Sequence, residues 1–513
     1  MRGGVSASRL KNAKRNVISG LIKQIVGIVL TFSIRTAIIY TLGAEYQGLN
    51  GLFTAILQVL NLTDLGFSAA VTFILYEPIA ENDIDTICAI IAFLKKVYFI
   101  IGVVILGIGL CLMPFLPKLI SGSCPDDVNL YILFLIYLVN TASSYLLFAY
   151  KSTLLTAMQR DDVVSNIYTI SSVIIKSIQL FLLFVFRNYF IYIIILPIGT
   201  IINNILLQVF SKRIFPEIIP RGKITFSIRS ELTKQIKAVF INRLSDIARN
   251  CFDDIIIAGF LGLVAVAAYD NYYYIYTAII GVMSIVVHSV GASIGNSIVK
   301  ETVEKNYRDL QNFSFIFMWI AGWFTVCLFC IYQPFMELWM NGRSDMVLSF
   351  QNMTLFCLYF YSFCMTYTKG IYLEGKGLFW ECRKLYFWEA FGNLSLNVVL
   401  GYFWGITGVL IATISTILVI NFIGGTKVLF TYYFEKSSTE FLVSHGKYFI
   451  ITVINCILSF AVTMALPGTG ILGLILKLIT CGILPNIIYL AFYCRTIVFK
   501  ESYAIVKRVI KRK

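Results

Sequence analysis

Apolar positions along this chain fall in unbroken runs rather than in alternation, and Pro, Gly and charged residues punctuate them. Runs of about 18 residues or more suit α-helices crossing a hydrocarbon layer about 30 Å thick. A helix satisfies its own backbone hydrogen bonds in lipid, whereas a membrane β-strand shows alternating outward and inward residues. The pattern predicts fourteen spans: 17–40, 48–76, 97–116, 129–150, 163–186, 189–210, 238–261, 264–298, 313–333, 346–368, 383–403, 406–432, 447–466 and 471–494. The expected fold class is an all-α polytopic membrane protein. The first run exceeds signal-peptide length, carries Lys23 and Arg35 and has no small-residue cleavage site, so it reads as a retained helix.

Composition agrees: 58% of residues are apolar and 13% charged, against about 25% charged in soluble domains. Charge then sets sidedness. With an even number of spans, both termini share one side. Of the 42 Lys and Arg, 32 fall on that side when span-end residues are counted with their loops. Seven lie within spans, and three (Lys118, Arg187 and Arg343) lie on the other side. Basic residues concentrate on cytoplasmic loops, which predicts cytoplasmic termini. The net charge of +15 then reflects orientation, not nucleic-acid binding. Residues 211–237 hold seven Lys and Arg, two Pro and a Gly and read as a basic linker. It separates an N-lobe (1–210, spans 1–6) from a C-lobe (238–432, spans 7–12), with spans 13 and 14 and a basic tail at 433–513.

Three echoes relate the lobes. "LGAEYQGLNGLFTAILQVLNLTDLGFSAAV" (42–71) matches "LGLVAVAAYDNYYYIYTAIIGVMSIVVHSVGASIG" (261–295) in layout. "YKSTLLTAMQRDD" (150–162) pairs with "TKGIYLEGKGLFWE" (368–381), and "NYFIYIIILPIGTIINN" (188–204) with "WGITGVLIATISTILVINF" (404–422). Repeats with an even number of spans keep one orientation, about an axis along the membrane normal.

Polar residues within spans carry the candidate chemistry. In "NRLSDIARNCFDD" (242–254), Asn242, Arg243, Asp246, Arg249, Asn250, Asp253 and Asp254 share an arc of about 140° at 100° per residue. A charge at the bilayer centre costs about 2.5–3.5 kcal/mol, so the arc is expected to face inward. Alternatively residues 234–250 lie flat at the interface, with the span starting at Cys251. Lys23, Gly27, Thr31 and Arg35 recur at four-residue steps on helix 1. Asn50, Thr54, Gln58, Asn61, Asp64 and Ser68 share a face of helix 2, and Thr169, Ser172, Lys176 and Gln179 one of helix 5. Intramembrane ionisable groups mark substrate or ion pathways, and the basic balance here suits an anionic, phosphate-bearing ligand. "YDNYYYIY" (269–276) fits an aromatic belt or a stacking surface for sugar rings, with Asp270 beside it. His288 reads as a packing residue or as a protonation switch.

Other chemistries lack their residues. No G-x-x-x-x-G-K-[ST] is present. The C-x-x-C of Cys327 and Cys330 lies mid-helix without a second pair, and the chain has only two His, at 288 and 445. A membrane glycosyltransferase or polymerase needs a carboxylate pair on a large outer loop, where the longest, near 334–346, offers only Glu337 and Asp345.

"RTAIIYTLGAEYQGLNGLFTAILQVLNLTDLGFSAAV" (35–71) resembles the N-terminal signature of bacterial Wzx-type polysaccharide flippases, in the multidrug/oligosaccharidyl-lipid/polysaccharide exporter superfamily. The resemblance is strongest over residues 11–100. It implies two pseudo-symmetric six-helix lobes around a central cavity, plus two C-terminal helices. It also implies a bacterial cell (inner) membrane location and translocation of an undecaprenyl-diphosphate-linked oligosaccharide to the outer leaflet by alternating access. On these residues, Lys23, Arg35, Lys176, Arg243 and Arg249 would hold the diphosphate. Asn50, Gln58, Asn61, Asp270, Tyr272 and Tyr273 would contact sugars. Asp64, Asp246, Asp253 or His288 would couple transport to a proton or sodium gradient. No metal or other cofactor is expected; a polysaccharide polymerase and glycosyltransferases are the expected protein partners. A cation-coupled multidrug exporter and a peptidoglycan-precursor flippase are the competing readings, the former predicting an acidic cavity.

Overall fold

The computed structural model describes residues 2–61, 67–122, 124–467 and 470–511, without the side chains of 2–14, 16, 17, 69, 234, 235, 237–248, 250, 288, 289, 292, 293 and 508–511. The described chain is helical with no strand. It forms two compact units, Met1–Ala267 and Ala268–Lys513.

The first unit contains α1 (Arg2–Thr41), α2 (Ala44–Leu60), α3 (Phe67–Glu81), α4 (Ile84–Leu112), α5 (Leu130–Leu146), α6 (Tyr150–Ala157), α7 (Asp161–Phe186), α8 (Tyr189–Ile193), α9 (Ile195–Ile214) and α10 (Phe226–Leu261). α1 packs along α7, and α10 against α2 and α3. Just past the end of α10, a Cβ on Gly48 of α2 would lie 2.1 Å from the carbonyl oxygen of Leu263, so only hydrogen fits between the backbones. Gly48→Ala is expected to destabilise the protein by about 1–3 kcal/mol, as overpacking does, read as a lower thermal unfolding midpoint in detergent. Short polar side chains set the helix starts. Asp83 accepts hydrogen bonds from Thr86 N (3.0 Å) and Oγ1 (2.5 Å), which hold its carboxyl below the usual range. Asn129 and Asn188 cap α5 and α8 in the same way.

The second unit contains most of α11 (Leu263–Lys300), then α12 (Val303–Met340), α13 (Phe350–Lys376), α14 (Phe379–Thr416), α15 (Gly425–Leu429), α16 (Thr439–Ala465), α17 (Gly470–Tyr493) and α18 (Ile497–Lys511). α12 is its spine, packing on α13, α16, α17 and α18. Two of its three indoles are satisfied across the interface with α17: Trp319 donates to Asn486 (2.9 Å) and Trp323 to the Cys481 carbonyl (2.9 Å). The Cys327–Cys330 pair sits in this apolar packing, with Cys327 donating to the same carbonyl. All twelve cysteines are free thiols.

Among the described residues nine helices are long and apolar enough to cross a membrane, or ten if the bent pair α5–α6 is one span. One of the nine runs for 56 residues, Phe379–Phe434. A straight helix of that length would measure about 84 Å, far beyond a layer about 30 Å thick. It breaks at Gly405 (φ 57, ψ −136), and a Cβ on Gly408 would lie 1.9 Å from the Leu400 carbonyl oxygen. The chain folds back there, so the segment is two spans, as the sequence predicts. The other expected spans fall on α2–α3, interrupted by undescribed residues, and on α10 and α11. α10 is continuous from Phe226, where Thr225 caps it, and no break separates 234–250 from the span. This is the all-α architecture expected, with room for about fourteen spans.

Backbone conformation bears directly on the internal repeat. Positive φ occurs at Gly43 and Gly262, at Gly122 and Gly342, at Gln159 and Gly377, and at Arg187 and Gly405. Within each pair the residues stand 218–220 positions apart, after helices 1, 3, 4 and 5 of one repeat and 7, 9, 10 and 11 of the next. Side chains rarely adopt this conformation without a turn that demands it, so the turns, not just the hydropathy, repeat. The same 218-residue offset relates Lys151 and Lys369, both buried.

Candidate functional site

Of the cationic residues on helices 1 and 5, Arg35 and Lys176 come within electrostatic reach of each other, and Lys23 stands about two turns away along the same helix pair. On the α1–α7 face, Lys176 Nζ donates to Thr31 Oγ1 at 2.8 Å, and Lys23 Nζ stands 5.1 Å over the Tyr168 ring. Arg35 is within electrostatic reach of Lys176 and of Tyr192. Arg35 and Lys176 are half-buried and Lys23 is exposed. The four-residue steps of helix 1 bring the groups to one side, and the parallel neighbour α7, in contact from Arg15–Asp162 to Thr31–Lys176, supplies Lys176 to the same side. A hydroxyl and a ring partner the two lysines without neutralising them, which leaves the face basic.

α10 brings its polar arc inward as far as it is described. Arg249, Asp253 and Asp254 are 6%, 2% and 9% exposed, and each has an interaction partner. Lipid-facing charges would be exposed, so the reason for charge in this span is internal. Arg243 and Asp246 on the same helix, His288 on α11 and Asp64 after α2 lie outside the described residues or side chains. Gln58 accepts a hydrogen bond from Cys251 Sγ of α10 at 3.2 Å. Asn61 ends α2 half-buried. Asn50 accepts from the Tyr137 hydroxyl at 2.5 Å, and Tyr137 in turn meets Tyr189 at 3.1 Å. This ties α2, α5 and α8 together and uses Asn50 Oδ1 in packing.

The tyrosine cluster is a correction. Tyr272, expected at sugars or in an aromatic belt, is fully buried. Its hydroxyl donates to Gln333 (3.0 Å), and its ring lies 4.9 Å from Tyr332 and 5.8 Å from Phe356. Tyr273 is half-buried, stacked 5.3 Å from Tyr276, which stacks on Tyr359 at 4.5 Å. Asp270 is buried beside them with a partner of its own. The i, i+3 and i+4 spacing aims these rings at α12 and α13, where ring-on-ring packing outcompetes exposure.

The second unit holds a polar centre that the sequence reading passed over. Lys369 Nζ donates to Asn421 Oδ1 at 2.7 Å, and Asn421 Nδ2 donates to Glu389 Oε1 and Oε2 at 3.0 and 2.8 Å. Lys369 and Glu389 are 4% and 2% exposed. A π-helical stretch, Ile417–Gly424, carries Asn421. Gly425 clears the space for the lysine: a Cβ there would stand 2.7 Å from Nζ. Asn397 donates to Asn393 (3.2 Å), and Asn393 to Thr413 (3.0 Å), continuing the network along α14. The signal was available, because Glu389, Asn393 and Asn397 repeat the four-residue steps read on helix 1. Among the described residues no three His, Cys, Asp or Glu side chains are grouped to hold a metal ion.

No protein-family model matches the sequence, and no curated protein does. Solved structures do share the fold. A lipid II flippase, MurJ, in an inward closed conformation superposes with a TM-score of 0.65 at 16% identity, over 93% of this chain and 98% of that one. A MATE transporter of Vibrio cholerae gives 0.59 at 15%, over 86% and 100%. A MOP superfamily transporter of Pyrococcus furiosus, whose binding pocket is described as having reversed polarity, gives 0.57 at 13%, over 83% and 97%. At these identities the likeness shows the fold alone, which is that of MOP superfamily transporters.

Proposed function

We propose that this chain is a flippase moving undecaprenyl-diphosphate-linked oligosaccharide units from the inner to the outer leaflet of a bacterial cell membrane, for surface polysaccharide assembly, by alternating access. The observation that carries the reading is the basic α1–α7 face within a transporter fold. Arg35 and Lys176 lie together there beside Thr31 and Tyr192, and Lys23 continues the same helix pair about two turns away over Tyr168. An anionic diphosphate at membrane depth needs such a surface, because each uncompensated charge in hydrocarbon costs several kcal/mol. Arg243 and Arg249 extend the positive set along α10. Polar side chains of α2 serve the sugars, and Asp64, Asp246, Asp253 and His288 are the proposed coupling groups for a proton or sodium gradient.

Two other readings have specific support. Likeness to MurJ favours a peptidoglycan-precursor flippase, and likeness to MATE transporters a cation-coupled drug exporter. The exporter reading calls for an acidic surface, against the lysine and arginine assembled here. Purified protein in proteoliposomes separates the three. Lipid-linked oligosaccharide on the inner leaflet is expected to become accessible to an externally added sugar-modifying enzyme faster than in protein-free vesicles. Acceleration of a peptidoglycan precursor alone, or of a cationic drug alone, would replace the proposal with the matching alternative.

A further inference from the structure

At one end of the second unit a groove of about 660 Å³ opens between α11, α12 and α18. Its walls are apolar: Val290 and Ile294 of α11, Phe313 and Ile316 of α12, and Ile505 and Val506 of α18. Its volume lies within the roughly 300–1,000 Å³ of ligand pockets. Lys300, Glu301, Lys305 and Asp309 line its rim. Lys305 is occupied by Glu301 at 2.8 Å, whereas Lys300 is exposed with no carboxylate on it among the described residues.

The wall formed by α18 is the second observation. This helix follows the last span after three residues and is strongly amphipathic. Its inner side is fixed to α12: Asn312 donates to Glu501 (3.3 Å), Ser502 donates to Asn312 Oδ1 (3.1 Å), and Phe499 stacks on Trp319 at 5.9 Å. Glu501, itself exposed, is held by that hydrogen bond from Asn312. Lys500 and Lys507, seven residues apart on one face, are exposed, as are Ile497 and Tyr503. Exposed aliphatic and aromatic groups beside lysines are the composition of a helix lying at headgroup depth. Lys507 opens the basic run "KRVIKRK", and basic residues immediately beyond a span attract anionic lipid.

We propose that this groove binds an anionic phospholipid of the leaflet on the basic side of the protein, with one acyl chain between Ile294, Phe313 and Val506 and the head phosphate held by Lys300 and the lysines of α18. The groove takes the chain because its walls are apolar, and the unneutralised Lys300 at its rim selects charge. α18 then acts as the wall that the lipid fastens in place. This site stands independently of the transported substrate.

The test uses the full-length protein, delipidated in detergent and titrated with phosphatidylglycerol, phosphatidylcholine or undecaprenyl phosphate. Bound lipid is counted by native mass spectrometry, and the thermal unfolding midpoint is followed in parallel. Phosphatidylglycerol is expected to bind about tenfold more tightly than phosphatidylcholine and to raise the midpoint. Lys300→Gln/Lys507→Gln is expected to lower its affinity to the phosphatidylcholine level. Val290→Trp, which fills the groove without touching charge, is expected to abolish the bound lipid while circular dichroism and gel-filtration elution stay unchanged. Equal affinity for the two phospholipids, retention of phosphatidylglycerol by both variants, or preferential displacement by undecaprenyl phosphate would each overturn the proposal.

Discussion

Arg35→Ala is expected to slow translocation of the lipid-linked oligosaccharide about 10- to 100-fold in proteoliposomes, with the folded yield unchanged. The magnitude follows from the roughly 1.5–3 kcal/mol of a hydrogen bond to a charged group. Arg35 stands half-buried on α1 beside Lys176, where screening by water is weaker than at the surface. Its guanidinium offers two parallel donors to a phosphate, which neither lysine matches. Arg35→Lys therefore keeps the charge and loses the fork, and an intermediate rate is expected. Lys23→Ala is expected to have the smaller effect, since Lys23 is exposed and its cation–π contact is of the weaker kind. Rates indistinguishable from wild type for Arg35→Ala, at equal reconstitution, would remove the diphosphate from this face.

The polar stripe of α1 was legible because a helix preserves four-residue steps, so a stripe written in sequence becomes a face in space. Helix order was equally legible, down to the turn at Gly405 that divides 383–403 from 406–432. What did not transfer was the environment of each stripe. Periodicity puts Tyr272 and Tyr273 on a face without saying whether that face meets solvent, lipid or another helix, and here it meets α12 and α13. Lys369 escaped notice for a related reason. It lies one residue past an expected span and was counted with a basic loop, whereas α13 continues to Lys376 and carries it inside. Asn421 is brought to it by a π-helical stretch, a local rewinding that a 3.6-residue period does not represent. The repeat is the converse case: weak in residue identity, it is firm in backbone, because turns requiring positive φ tolerate few alternatives.

Lys369→Met is expected to destabilise the second unit by about 3–5 kcal/mol, the usual cost of stranding one member of a buried charge pair. The lysine and Glu389 are both buried, and Asn421 joins them, accepting from the amine and donating to the carboxylate. Removing the amine takes away the cation that Asn421 bridges to the carboxylate, and the Asn421 oxygen loses the donor that holds it. The double variant Lys369→Met/Glu389→Gln removes both charges, and most of the loss should be recovered, since a charge pair replaced as a unit is often neutral for stability. Gly425→Ala tests the geometry separately, because its methyl would occupy the space held by the lysine tip. Thermal unfolding of the four proteins in detergent gives the comparison. A double variant no more stable than Lys369→Met would mean that the carboxylate does not sense the amine. The network would then be a set of independent hydrogen bonds rather than a compensated pair.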